Sequence, residues 1–437
     1  MISAAMTFPG GVHPPHFKKP ANKIPIKKAA LPKQVVIPLS QHIGAICEPL
    51  VSVGDKVKPG ILIGKSDKFV SSFVHASVSG EVIKIEQRPH PLSGLCNSVV
   101  IESDGTDEAG FTQQESNADS LKPQEIIDII RRSGVVGLGG ACFPTHVKLT
   151  SIPNKKIDTF VLNGAECEPY LSCDHRLMLE RPKDIIKGML LIMKAIGVTK
   201  GFVAIEDNKP DAVEAMRAAL NSTLNTQHSI QIVTLKTKYP QGAEKQIIKV
   251  ILNKEVPAGG LPFDVGCLVD NVATALAVYE AVYYKKPLYE RVITVCGDAV
   301  KEQANLLVRI GTRVSDILQQ CGLSSQQPGK IIFGGPMMGF SQYTTDVPVI
   351  KGTSGIIFLS QAKVDKSVES VCIRCGNCLD VCPMKLAPTT LMNLIKLRRY
   401  AEAKEIGVDN CYECGSCAYE CPAKIPLVDY MKLGKNG

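Results

Sequence analysis

Eight cysteines near the end of the chain are spaced to hold redox metal. Cys372, Cys375, Cys378 and Cys382 follow a C-x2-C-x2-C-x3-C run closed by Pro383, and Cys411, Cys414, Cys417 and Cys421 repeat it with Pro422. Such a run wraps a [4Fe–4S] cube in a short loop and sends its fourth cysteine to the neighbouring cube. The predicted ligand sets are therefore crossed. One cube takes Cys372, Cys375, Cys378 and Cys421; the other takes Cys411, Cys414, Cys417 and Cys382. Soft thiolates also select zinc, but a zinc knuckle needs only paired C-x2-C units, and two matched sets of four exceed that need. The chemistry expected is transfer of single electrons.

A second reactive stretch is the loop Gly134-Val135-Val136-Gly137-Leu138-Gly139-Gly140-Ala141-Cys142-Phe143-Pro144-Thr145. Its glycines remove side chains where a phosphate or a flat ring could approach the backbone. It is not the dinucleotide fingerprint: it follows a helix and lacks the G-x-G-x-x-G spacing. Ligand binding and a tight structural turn both fit it. Lys148, just downstream, can supply positive charge for a phosphate. Asn163-Gly164-Ala165-Glu166-Cys167-Glu168-Pro169 follows a strand, where ligands collect in α/β layers. Asn163 and Glu166 could hydrogen-bond a cofactor there, and a solvated acidic turn is the alternative. Gly242 and Glu244 open one helix, Asn271 and Thr274 another; an anion site and plain capping compete at each.

These residues need scaffolds, and 437 residues with 45% hydrophobic content allow several. Residues 1–110 read as a small β barrel-sandwich hybrid, with turn glycines Gly54, Gly60 and Gly80 between short strands. Residues 120–285 alternate strands and helices, as a doubly wound Rossmann-like layer does. Expected elements there include strand Phe160–Leu162, helix Lys183–Ile196, strand Gly201–Ile205, helix Glu244–Leu252 and a long helix Val269–Tyr284. Residues 286–360 read as a β-grasp unit and 361–437 as a mostly helical cluster domain, with Leu391–Ile406 helical by composition. The fold class is thus multidomain α/β.

Charge and cysteine content exclude several classes. The formal charge of +8 falls to about +4 once eight thiolates and two oxidised cubes are counted. No basic stretch is interleaved with aromatics, so nucleic acid is not an expected partner. The other eight cysteines fit free thiols in a reducing compartment better than a disulfide scaffold. The opening residues lack a signal-peptide pattern. The greasiest segment, Met189–Val198, contains Lys194 and is too short for a direct transmembrane span. Phe8, His13 and Lys18, and the basic group Lys396, Arg398 and Arg399, are candidate docking surfaces for membrane partners.

With its opening Phe8-Pro9-Gly10-Gly11-Val12-His13-Pro14-Pro15, its glycine loop, its Asn163–Pro169 turn and its cysteine runs, the chain resembles the C subunit of the Rnf/Rsx electron transport complex over nearly its whole length. The loop and turn look like the flavin site shared with the flavin-bearing subunit of respiratory NADH:quinone oxidoreductase. The resemblance implies noncovalent FMN contacted by Gly137, Gly139, Gly140, Lys148, Asn163, Glu166, Gly242, Glu244, Asn271 and Thr274. It places Glu168 near the nicotinamide of NAD(H), as the candidate catalytic residue. It further implies a soluble-ligand-binding β-grasp (SLBB) module around Val292–Gly339 and a peripheral subunit on the cytoplasmic face of the membrane. Partners would be the other redox and membrane subunits, with ferredoxin reached indirectly. Ala165 stands where the respiratory flavin subunit has aspartate, so one ribityl contact is lost or remade. A cobalamin reductase with a similar flavin module, and an assembly protein that carries clusters without active flavin, are the competing readings.

Overall fold

The computed structural model describes all residues except 1–5, 112–115, 119, 151–154, 224–227 and 325–326. Strands Gln34–Pro38, Gly94–Ser103, Gly80–His90 and Lys56–Val57 form one antiparallel sheet. A second sheet of Glu48–Pro49, Leu62–Lys65 and Val74–His75 covers it. Alternation sets the core: Val35, Ile37, Val99 and Ile101 project between the sheets, onto Val57, Ile63, Val74 and Val82.

The next unit is a parallel sheet in the order Ser229–Leu235, Lys200–Glu206, Thr159–Gly164, Cys267–Asn271. Phe160 and Leu162 face a layer built from helices Pro123–Arg132, Pro182–Ile196, Pro210–Thr223 and Val272–Tyr284. Val161, one residue out of phase, faces helix Glu244–Leu252 through Ile247 and Ile248. The chain lays down three strands in one direction from Thr159–Gly164, then returns to add Cys267–Asn271 on the other side. That reversal is a topological switch point, where a crevice opens beyond the carboxyl ends of the strands.

Two predicted elements are corrected. Val269–Tyr284 is not one helix: Cys267–Asn271 is a strand, and the helix starts at Val272. The strand and the first two turns of the helix are buried on every side, so no change of period marks the join. The usable signal is Asn271, whose side chain accepts from the Ala273 amide at 2.8 Å as the helix cap. Leu391–Ile406 likewise divides into Pro388–Lys396 and Tyr400–Glu405, with Arg398 in the left-handed region at φ 58°. Leu391 and Ile395 are buried, whereas Leu397 is exposed. Helix Cys173–Glu180 was not anticipated.

A six-stranded mixed sheet follows, in the order Ile26–Lys28, Ala304–Arg309, Glu290–Cys296, Gly355–Leu359, Lys330–Phe333, Phe340–Gln342, with helix Val314–Cys321 packed on it. Its first strand comes from the start of the chain. The described residues from Met6 to Lys28 therefore run across the other units: Met6 bridges Leu235, Val12 bridges Tyr239 and Ile26–Lys28 extends this sheet. Phe8 and Lys18 are buried by these contacts, which corrects their expected role as docking surface. The cysteine runs lie among short helices around Leu391, Met392, Ile395, Val408, Leu427 and Met431. No described helix is long and apolar enough to cross a membrane.

Candidate functional site

The switch-point crevice draws its walls from four loops. Asn163 Nδ2 donates to the Gly242 carbonyl at 2.9 Å, and its Oδ1 accepts from the Ala165 amide at 3.1 Å. The glycine loop is tied down by the Leu138 amide, which donates to Thr274 Oγ1 at 2.9 Å, while Gly139 packs against Asn271. Lys148 Nζ donates to Glu244 Oε1 at 2.8 Å and to the Val269 carbonyl. Asn271 Nδ2 donates to Asp174 Oδ2 at 2.7 Å, and Asp174 in turn offers its amide to Glu166 Oε1 at 2.7 Å. The loop itself is pinned by the Gly137 amide on the Phe143 carbonyl at 2.9 Å. The ten residues expected to contact a flavin thus lie on the loops around this one crevice.

Gly140 is exposed, at φ +120°, and a Cβ added there would meet nothing within 4 Å. Its open side is a place where a flat ring can lie on backbone. Next in sequence to Asn271 and Gly242, polar atoms lack partners. Asp270 Oδ2 and both amide atoms of Gln241 are buried without a hydrogen bond. Orphans of this kind are costly, and a ligand rich in hydroxyl and imide groups satisfies them. The donor set therefore fits FMN. Sequence reasoning passed over Asp270 and Gln241; their positions, directly before Asn271 and Gly242, were the available signal.

Charge in the crevice is balanced by proximity. Burial works against the Lys148 cation, yet the Glu244 and Asp270 carboxylates outweigh it and raise its pKa. Burial and the neighbouring Glu166 carboxylate push Asp174 up to about 7. Lys18 Nζ, buried against the same turn, donates to the Glu166 and Leu171 carbonyls, each at 2.7 Å.

Glu168 ties two turns together. Its Oε1 accepts from the Met338 amide at 2.9 Å and its Oε2 from the Met337 amide at 3.1 Å, clamping the β-grasp turn against the Asn163–Pro169 turn. Burial raises its pKa to about 7, against the pull of those two amides. The carboxylate thus joins the two units.

Cys382, Cys411, Cys414 and Cys417 line one cavity with Pro383, Leu386, Tyr412 and Met431. Burial raises the Cys417 thiol pKa, and Cys414, Cys411 and Cys382 add to it. A bound metal cluster would supply the positive charge that lets such thiols ionise. Cys378 has Cys375 and Cys421 as its electrostatic neighbours, and Cys375 is exposed. The fourth cysteine of each run thus lies with the other run.

Known proteins share this arrangement. The RnfC barrel sandwich hybrid domain matches residues 6–106, the Nuo51 FMN-binding domain 130–280, the SLBB domain 292–341 and the 4Fe-4S dicluster domain 365–422. The chain is 51% identical over 400 residues to the C subunit of a proton-translocating ferredoxin:NAD(+) oxidoreductase complex from Clostridium ljungdahlii, covering 91% of this chain and 86% of that one. It is 46% identical to the C subunit of the Na(+)-translocating complex of Acetobacterium woodii, covering 88% and 86%. It is 41% identical to the C subunit of an ion-translocating oxidoreductase complex of Rhodobacter capsulatus, covering 98% and 82%. Among solved structures, an NAD+-reducing [NiFe]-hydrogenase in the H2-reduced state shares the fold at TM-score 0.52 and 17% identity, over 72% of this chain and 63% of that one.

Proposed function

The chain belongs to the RnfC family, the C subunits of ion-translocating oxidoreductase complexes, and on that premise we propose that it exchanges electrons between NAD(H) and a multisubunit membrane complex. The observation that carries the reading is the pairing of a switch-point site, flanked by the unsatisfied Asp270 and Gln241 side chains, with a cavity lined by Cys382, Cys411, Cys414 and Cys417. FMN, when bound, supplies the conversion between a two-electron hydride and the single electrons a cube accepts.

The chain's own residues do the positioning. Gly139 and Gly140 would leave backbone free for the ring, and Lys148 and the start of helix Glu244–Leu252 would hold the phosphate end. Asn163, Glu166, Asn271 and Thr274 hold the loops that carry these groups. Glu168 fixes the β-grasp turn against the Asn163–Pro169 turn and would stand on the nicotinamide side. No general acid or base is needed for hydride exchange. The eight cysteines of the two runs would hold the cubes, which would supply single-electron chemistry toward other members of the complex; Cys375 is the exposed one among them. The protein sits peripherally, on the face of the membrane where NAD(H) is found, and ferredoxin is reached through its partners. The named relatives use different coupling ions, and that choice resides in the subunits that span the bilayer.

The test is spectroscopic. After anaerobic reconstitution, the purified chain should contain about one FMN and about eight iron and eight sulfide atoms. Rapid mixing with NADH should bleach the flavin before the clusters. Clusters without bound flavin would favour the assembly-protein reading instead.

A further inference from the structure

The motif Phe8–Pro15 lies outside the barrel and outside the crevice, yet it touches both redox regions. At one end the Gly11 amide donates to the Val381 carbonyl at 2.8 Å. Gly10 lies against the next carbonyl, that of Cys382, where an added Cβ would sit 3.0 Å from the oxygen. Both glycines adopt positive φ, +78° and +77°, so the close approach needs residues without side chains. In the middle, Val12 and Tyr239 exchange backbone hydrogen bonds at 2.7 and 2.9 Å. Lys238 Nζ holds the Phe8 carbonyl at 2.7 Å and lies over its ring. At the far end the Tyr170 amide donates to the His16 carbonyl at 2.8 Å, Phe17 stacks on Tyr170, and Lys18 grips the Glu166 turn.

Tyr239 completes the connection. It is 1% exposed, and its hydroxyl donates to the Cys414 carbonyl at 2.6 Å. Three residues later, the Gly242 amide donates to Cys167 Sγ at 3.3 Å and the Gly242 carbonyl accepts from Asn163. A four-residue segment thus spans from the crevice wall to a cluster ligand. None of these contacts reaches Cys372, Cys375 or Cys378.

We infer that Phe8–Lys18 and Tyr239 form a clasp that positions the Cys382, Cys411, Cys414 and Cys417 cube against the flavin crevice and tunes that cube alone. The inference rests on the cofactor content proposed above. The transfer it serves moves one electron from crevice to cube with no bond made or broken, so the protein contributes distance and local field. Hydrogen bonds adjust cluster potentials. The Tyr239 hydroxyl offsets the partial negative charge of the Cys414 carbonyl oxygen beside the cube, which favours the added electron, so withdrawing it lowers the potential.

The experiment uses the full reconstituted chain and two variants, Tyr239→Phe and Gly10→Ala, with Cys382→Ser to identify the cube's resonance signal. FMN and iron contents are measured first; a wild-type chain without FMN or clusters would refute the functional reading itself, independently of the clasp. In Tyr239→Phe, cofactor content should be unchanged. One cluster, the one altered by Cys382→Ser, should titrate at lower potential, and its reduction after mixing with NADH should slow severalfold. Gly10→Ala should slow the same step. Wild-type potentials and rates in Tyr239→Phe would overturn the clasp, even if Gly10→Ala loses its cluster. So would equal shifts in both clusters.

Discussion

Replacing Gly140 by alanine isolates the backbone requirement of the flavin loop. The residue stands at φ +120°, and a Cβ built there meets nothing within 4 Å. The protein itself therefore has room for the methyl group, and two terms remain. A non-glycine residue held in this region costs about 1–3 kcal/mol. The apo loop can relax away from the strain, but binding FMN restores the native path and incurs it again. At about 1.4 kcal/mol per tenfold, affinity should fall roughly 5- to 150-fold, and further if the methyl group meets the ring. The assay is quenching of FMN fluorescence on titration into flavin-free chain whose clusters are intact by absorbance. Gly197→Ala is the control: it also sits at positive φ with open space around an added Cβ, but at the end of helix Pro182–Ile196, away from the crevice. It should lower the melting temperature and leave the FMN Kd unchanged. Native Kd in Gly140→Ala, or an equal loss in Gly197→Ala, would refute the assignment of the ring to this loop.

Cys382→Ser should alter the cube that also uses Cys411, Cys414 and Cys417, leaving the signal that depends on Cys372–Cys378; magnetic resonance on paired variants checks it, and damage to the Cys372–Cys378 cube would reverse the crossed pairing. Lys18→Met leaves the buried Glu166 carboxylate, 3.8 Å from the ammonium, without its cation. It should cost about 3 kcal/mol or more, read as a lower melting temperature of the holo-chain. Glu168 gives a pH signature: its folded pKa is raised from 4.5 to about 7, so the folded state binds the proton more tightly than the unfolded chain. Its contribution is most favourable below about pH 4.5 and is lost as pH rises through 7. The melting temperature of wild type relative to Glu168→Gln should therefore fall between pH 5 and 8, and a constant difference would remove Glu168 as the titrating group.

What could be read from the chain depended on whether the deciding interactions were local. The cysteine runs were legible because a cube imposes its spacing on a few consecutive residues, and each flavin loop was legible because it ends a strand or opens a helix. Glu244–Leu252 was found because helical burial writes a period into the sequence, and the strand expected at Phe160–Leu162 because a short apolar run ends at the Asn163-Gly164 turn. The strand Cys267–Asn271 was hidden because both it and the following helix are buried all round, which erases that period. Asp270 and Gln241 were hidden for a different reason: a buried polar side chain without a partner is a property of three-dimensional surroundings. The strap was the hardest of all. Gly10 and Gly11 look like turn residues until Cys382, more than 370 positions away, is brought against them. The respiratory-type flavin loops and the ferredoxin-type cysteine loops each carry their own signature, but the segment that joins them answers to both at once. Its glycines are fixed by one partner and its Lys18 by the other, so neither pattern alone could have announced it.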